Sequence, residues 1–298
     1  MRVLVLGATG FLGGHVAAQL RALLGVRLLA GGRSPAADVP LDLTADPDTL
    51  ADALFSAAPD AVVNCAGLVA GTAVALTDVN ARGPAALCEA LRESVPTARL
   101  VHIGSAAEYG PTPAGVSVAE TAPTRPQGPY GATKLAGTVA VTSSGSGAVV
   151  LRVFSPVGPG APVAGLPGRL AAELRGAGGG TARVGDLSAY RDFIDVRDVA
   201  RAAVLAATLP APLPPVLNVG SGQATPVRDL AHGLVLAAGS AGRFEETPGG
   251  GPAGPDAVSW QCADTTVARA ALGWEPRYTL AESLAGLWAA AAPASAVR

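Results

Sequence analysis

Tyr130 and Lys134 stand four residues apart in the stretch GPYGATKLAG, and Lys134 is the only lysine in a chain with twenty arginines. In a helix that spacing puts both side chains on one face. A free phenol has a pKa of about 10 and exchanges its proton poorly at neutral pH. An ammonium beside it stabilises the phenolate and lowers that value, so the tyrosine can give a proton to a carbonyl or take one from an alcohol. A compact, rotatable ammonium suits this task better than a planar guanidinium, which accounts for one lysine among so many arginines. The alternative is a surface pair with no chemistry.

The stretch VLVLGATGFLGGHVA sets Gly7, Gly10 and Gly13 between the first apolar run and the first helical pattern. The spacing is Gly-x-x-Gly-x-x-Gly, one residue wider at the first gap than Gly-x-Gly-x-x-Gly. Both forms allow a tight turn, close backbone approach to a pyrophosphate, and a helix N-terminus aimed at its charge. In a chain with 38 glycines such a pattern can be an ordinary turn. Its place directly after the first strand reads as a dinucleotide site. An NAD site offers an acid at the end of the second strand for the ribose hydroxyls. Here LLAGGRSPAAD puts Arg33 and Ser34 there. A guanidinium beside a hydroxyl suits a 2′-phosphate, so NADP is expected over NAD; the other reading is a solvated arginine.

The elements that must position these groups follow from periodicity. Apolar runs at 2–6, 26–30, 61–65, 99–104 and 148–154 alternate with helical patterns at 11–23, 46–57, 73–94 and 128–142. This rhythm predicts an α/β fold with a doubly wound parallel sheet of Rossmann type. After residue 155 the rhythm breaks, and glycine and proline cluster at 156–168, 176–180 and 248–255. We expect a nucleotide-binding core over 1–155, rejoined by about 193–219. The segments 156–192 and 220–298 would form a smaller, discontinuous substrate-binding part over the carboxyl edge of the sheet.

Composition narrows the function. The 298 residues suffice for one large α/β domain or two joined ones. Only 15% of residues are charged, the net charge is −2, and no basic stripe exists for a nucleic-acid backbone. Cys65, Cys88 and Cys262 are widely spaced, and His15, His102 and His232 are scattered. Neither a metal cluster nor a disulfide framework is expected, which fits a reducing cytoplasm. The apolar start lacks the basic leader and cleavage region of a secretion signal. No apolar run reaches membrane-spanning length.

Further motifs are GATGFLG (7–13), NCAGLV (64–69), DVNARG (78–83), HIGSAAEYG (102–110), YGATK (130–134), LRVFSPVGPG (151–160), YRDFIDVRDVA (190–200), LNVGSG (217–222) and LGWEP (272–276). Together they resemble the extended short-chain dehydrogenases/reductases of the NAD(P)-dependent sugar epimerase/dehydratase group, over nearly the whole chain. The resemblance implies a Ser105–Tyr130–Lys134 catalytic triad, with Ser105 also touching substrate and Lys134 holding the nicotinamide ribose. It gives cofactor contacts to Gly7, Thr9, Gly10, Phe11, Leu12 and Gly13, and assigns Asp42 and Leu43 to the adenine. Cys65, Ala66, Gly67 and Leu68 would meet the cofactor's middle, Asn80 would brace the sheet edge, and Phe154 would line the nicotinamide pocket. Arg191 would clamp a substrate diphosphate as the one strong clamp that remains, and Ser155 and Asp256 would also stand in the substrate site. Asp195 and Asp198 read as caps of the helix beginning VRDVARAA.

The resemblance also sorts the reactions. Dehydratases of the group carry an Asp-Glu pair after the serine or threonine, and this chain has Ala106 and Ala107. Epimerases retain and recycle NAD, whereas Arg33 favours NADP. The best fit is an NADPH-dependent reductase of a nucleotide-diphospho-4-keto-6-deoxy sugar, a cytoplasmic homodimer pairing through helices 73–94 and 128–142. The alternatives are an NAD-dependent nucleotide-sugar 4-epimerase and a ketoreductase of another natural-product carbonyl. Ser155 replaces the family's usual asparagine, and Asp256 lacks the arginine that commonly precedes it. Redox-sensing relatives typically lose the tyrosine retained here.

Overall fold

The computed structural model describes residues 1–145, 147–239, 241–247 and 259–290. Its strands are β1 (Arg2–Leu6), β2 (Arg27–Gly32), β3 (Val39–Pro40), β4 (Ala61–Asn64), β5 (Arg99–Ser105), β6 (Val149–Val153), β7 (Ser155–Val157), β8 (Thr181–Val184), β9 (Tyr190–Asp195), β10 (Val216–Val219), β11 (Ala224–Pro226) and β12 (Arg243–Glu246). Seven of them form a parallel sheet in the order β10-β6-β5-β4-β1-β2-β3. The expected doubly wound α/β fold is present.

The apolar runs form this sheet because both its faces are covered. Along β1, Val3 and Val5 point into one core and Leu4 and Leu6 into the other. Helices α1 (Phe11–Arg21) and α7 (Val196–Thr208) build the first core, and the buried Ala200, Ala202, Ala203, Ala206 and Ala207 let α7 lie close to the strands. Helix α2 (Pro47–Ala57) starts at Asp46, whose carboxylate accepts from the Thr49 amide at 2.9 Å, with Pro47 at its first position. It packs in the second core with α4 (Gly83–Ser94) and α5 (Gly128–Thr142).

Two expected elements are divided. The pattern at 73–94 forms α3 (Ala73–Thr77), a π-helical turn over Asp78–Arg82, and α4. The run at 148–154 stops at Val153, and β7 leaves for a second sheet in the order β11-β9-β7. Helices α6 (Leu166–Gly176), α8 (Val227–Ala238) and α10 (Leu280–Ala290) share a third apolar cluster that includes Val157, Leu170, Phe193 and Leu230. Strands β8 and β12 pair beside it, and α9 (Thr266–Leu272) packs Leu272 into the α7 core. Within 193–219, α7 lies against α1 and β10 takes the sheet edge beside β6.

Strand β1 lies between β2 and β4, so the chain winds away from it in opposite directions. Doubly wound sheets open a ligand crevice at the carboxyl end of such a switch point. The loops there are 7–10 and 65–68.

Candidate active site

These two loops touch. Gly7 has φ +75°, and a Cβ on it would lie 2.9 Å from the Ala66 nitrogen. A Cβ on Gly13 would lie 2.1 Å from the Gly7 carbonyl oxygen, so only glycine lets α1 start this close to the turn. Gly10 is the N-cap of α1 and offers no side chain to its first amides. A glycine-lined backbone cradle at the switch point, opening at the start of α1, fits a dinucleotide pyrophosphate. Thr9 and Gly10 are exposed on it, and Phe11 and Leu12 half-buried.

Asn80 braces the second loop, donating to the Leu68 carbonyl at 2.8 Å and accepting from the Leu68 amide at 2.9 Å. It sits in the π-helical turn, a local irregularity that often marks functional sites. Cys65 and Ala66 are half-buried, Gly67 exposed. At the far end, Arg33 and Asp42 line an open cleft of about 310 Å³ with Leu41 and Thr49. Asp42 accepts from the Thr44 amide and hydroxyl, which hold its carboxyl below the usual range, and Arg33 adds to this. The Ser34 hydroxyl accepts from the Ala36 amide at 3.2 Å. Leu43 is buried in the α2–α4 core, so it can offer a ligand its backbone and not its side chain.

Ser105 ends β5, and Tyr130 and Lys134 lie in the first turns of α5. A Cβ on Gly131 would lie 2.6 Å from the Ala107 carbonyl oxygen, so α5 presses directly on the turn after Ser105. The Ser105 hydroxyl accepts from the Ala107 amide at 3.1 Å and lies near enough to the Tyr130 phenol to pull its pKa down. Lys134 is 5% exposed, and its ammonium donates to the Ile103 carbonyl at 2.5 Å. Burial pushes it down to about 8, against the opposing pull of Glu108 and Cys65. The expected depression of the tyrosine pKa is not found. Burial raises the Tyr130 phenol, Glu108 raises it further, and Ser105 only partly offsets them.

Beneath the triad is a buried polar network absent from the sequence reading. Glu108 is fully buried and accepts from the Ser105 amide at 2.8 Å, the Thr138 hydroxyl at 3.0 Å and Arg152 Nε at 2.7 Å. Arg152 also donates to the Tyr109 hydroxyl at 3.0 Å, and Tyr109 donates to Asn218 Oδ1 at 2.7 Å. The available signal was a charged residue inside each of two apolar stretches, HIGSAAEYG and LRVF. His102 lies on the same face of the sheet, its Nδ1 3.2 Å from Asn64 Nδ2. Burial and the Lys134 charge hold it neutral, well below its ordinary pKa.

The sequence pattern of the NAD dependent epimerase/dehydratase family matches residues 3–220. The chain belongs to this family. A dTDP-6-deoxy-L-talose 4-dehydrogenase (NAD(P)(+)) of Kitasatospora kifunensis is 39% identical over 304 residues, spanning 97% of this chain and 95% of that one. A GDP-6-deoxy-D-mannose reductase of Pseudomonas aeruginosa is 30% identical over 246 residues, 77% of each chain. The solved structure of RMD from Pseudomonas aeruginosa complexed with NADPH matches with a TM-score of 0.82 and 27% identity, over 97% of this chain and 96% of that one. The protein is an NAD(P)-dependent oxidoreductase of the extended short-chain type.

Within the epimerase/dehydratase frame the remaining sequence-derived residues divide. Arg191, half-buried on β9, donates to the Tyr190 carbonyl at 2.8 Å, and Ser155 starts β7, which pairs with β9. Asp256 lies outside the described residues. Phe154 is 1% exposed and packs on Tyr109 with the ring centroids 6.3 Å apart. Its ring belongs to a small apolar cluster with Ala106, Tyr109, Val118 and Ala263. Asp195 caps α7 as expected, accepting from the Arg197 amide at 2.7 Å. Asp198 does something else. Its carboxylate accepts from Arg201 and from the amides of Arg277 and Tyr278, pinning the turn before α10. Asp192 is a similar staple that sequence reasoning missed, joining the Ser221 and Gly222 amides to that of Ala263. Among the described residues no helix is long and apolar enough to cross a membrane.

Proposed function

We propose that this protein is an NADPH-dependent ketoreductase of a nucleotide-diphospho-4-keto-6-deoxy sugar, running in reverse as the alcohol dehydrogenase. The observation that carries the reading is the half-buried Tyr130 at the start of α5, set against the strand end that carries Ser105. Its phenol is biased toward the protonated form, as a proton donor to a carbonyl must be. The 39% identical relative, named for a dTDP-sugar 4-dehydrogenase, supports the substrate class.

A bound nicotinamide supplies the hydride that becomes the new C–H bond. The chain supplies the rest. Tyr130 gives its proton to the reacting oxygen, and Ser105 hydrogen-bonds that oxygen or the phenol. Lys134 presents the positive charge that steadies the resulting phenolate. The glycines 7, 10 and 13 admit the pyrophosphate, and Arg33 with Ser34 would take the 2′-phosphate. Arg191 would clamp the substrate diphosphate, with Ser155 on the neighbouring strand as a further substrate contact. We place the cofactor on 1–155 with 193–219, the substrate against 156–192 and 220–298, and the enzyme in the cytoplasm as a homodimer.

The test is oxidation of dTDP-6-deoxy-L-talose, followed by the absorbance of the reduced cofactor. NADP+ should give the higher kcat/KM, and Arg33→Asp should narrow or reverse its lead over NAD+. Free dTDP should inhibit competitively, and Arg191→Ala should weaken that inhibition roughly 10- to 100-fold through loss of a charge-assisted contact. Absence of turnover, together with no rise in melting temperature from dTDP, UDP or GDP, would leave a ketoreductase of another small carbonyl.

A further inference from the structure

Glu108 is neither of the two alanines at the family's acid/base positions, and it does not face the crevice. It is a fully buried carboxylate at the third residue after Ser105. Such a group is expensive to bury and persists where its charge is paired and its oxygens are hydrogen-bonded. Here both conditions hold. One oxygen accepts from the Ser105 amide at 2.8 Å and the Thr138 hydroxyl at 3.0 Å, and the other from Arg152 at 2.7 Å. These bonds connect the end of β5, the helix that carries Tyr130 and Lys134, and β6. A Cβ at residue 104 would lie 2.8 Å from a Glu108 oxygen, so Gly104 makes the room this carboxylate needs.

We propose that Glu108 is the positioning residue of the triad: it fixes the strand end that carries Ser105 against the helix that carries Tyr130, and supplies a buried negative charge to both Tyr130 and Lys134. This rests on the reading of Ser105, Tyr130 and Lys134 as the catalytic groups. The charged and titratable groups around the pair are Glu108 after β5, Cys65 after β4, His102 on β5 and Arg152 on β6. Cys65 is pushed up to about 12 and His102 far down, so both are neutral near pH 7. Arg152 is spent on Glu108 and Tyr109. The Glu108 charge raises the Tyr130 phenol and the Lys134 ammonium alike, opposing the burial that strips the lysine of its proton. A hydrophobic residue at 108 would leave the lysine more easily neutralised and the tyrosine more easily ionised, the wrong way round for proton donation.

The experiment compares wild type with Glu108→Asp and with Glu108→Gln/Arg152→Leu, which removes both members of the ion pair so that no lone charge is left buried. The Tyr130 phenol is titrated by ultraviolet difference absorbance, using Tyr130→Phe as blank, and kcat for dTDP-6-deoxy-L-talose with NADP+ is measured against pH. In the double variant the phenol should titrate at lower pH by roughly one unit, the acid limb of kcat should move with it, and kcat should fall roughly 10- to 100-fold. Glu108→Asp keeps the charge but draws the carboxylate back, so its titration should stay near wild type while kcat falls. If the double variant does not fold, Thr138→Val takes its place, removing one bond to the carboxylate, and kcat should then fall with the titration unmoved. An unshifted phenol titration in a folded double variant overturns the proposal, as does full kcat in Glu108→Asp or Thr138→Val. Turnover surviving in Tyr130→Phe would overturn the triad reading, whatever Glu108 does.

Discussion

Tyr130 holds its proton because burial and the Glu108 charge together outweigh the help it receives from Ser105. Tyr130→Phe should therefore abolish nearly all turnover while leaving NADPH affinity within a few-fold of wild type, measured by fluorescence titration. Lys134→Arg should be severely impaired, since a planar fork cannot take the place of a compact ammonium seated on the Ile103 carbonyl. The same lysine makes a stability prediction. It loses its proton near pH 8 when folded and near the ordinary 10.5 when unfolded. Below the lower value folding buries a charge. Between the two the unfolded chain binds more protons, so stability rises with pH. Lys134→Met should be more stable than wild type at about pH 7, with a gap that closes toward about pH 10 in urea denaturation. A gap independent of pH would show that the ammonium is not desolvated.

Helix α5 works by proximity. Its start rests on the turn after Ser105, and its middle rests on the π-helical turn, where a Cβ on Gly137 would lie 2.2 Å from the Asn80 carbonyl oxygen. Gly131→Ala should tip the helix away from β5, costing about 1–3 kcal/mol of stability and about tenfold or more in kcat. Gly14→Ala makes the contrast. It sits inside α1, and its new methyl would meet the nearest neighbour at 3.7 Å. That substitution should be neutral or stabilising by up to about 1 kcal/mol through helix propensity. Equal losses at the two sites, in calorimetry and kinetics, would contradict the close approach of α5 to the catalytic turn.

At the scale of the whole molecule, α4 and α5 pack side by side, and their exposed residues include Ala85, Glu89 and Arg92 on α4 and Ala132, Ala136 and Val139 on α5. Val139 is 54% exposed. A homodimer formed through this face predicts that Val139→Glu sediments as a monomer and that the melting temperature of wild type, but not of the variant, rises with protein concentration. The alternating strands and helices, the glycine loop and the Tyr130–Lys134 pair were all legible in the amino-acid sequence. Each is a local pattern: a two- or 3.6-residue period, a turn that admits only glycine, a spacing of one helical turn. Tertiary structure alone decided the rest. The Glu108–Arg152 pair spans 44 residues of chain, and the Tyr109–Asn218 bond spans 109. Phe154 turns inward, the helix expected over 73–94 opens into a π turn at Asn80, and the tyrosine moves up in pKa where its lysine neighbour suggested down. Desolvation explains that last reversal, because it depends on everything packed around a group, and sequence neighbours are only a small part of that surrounding.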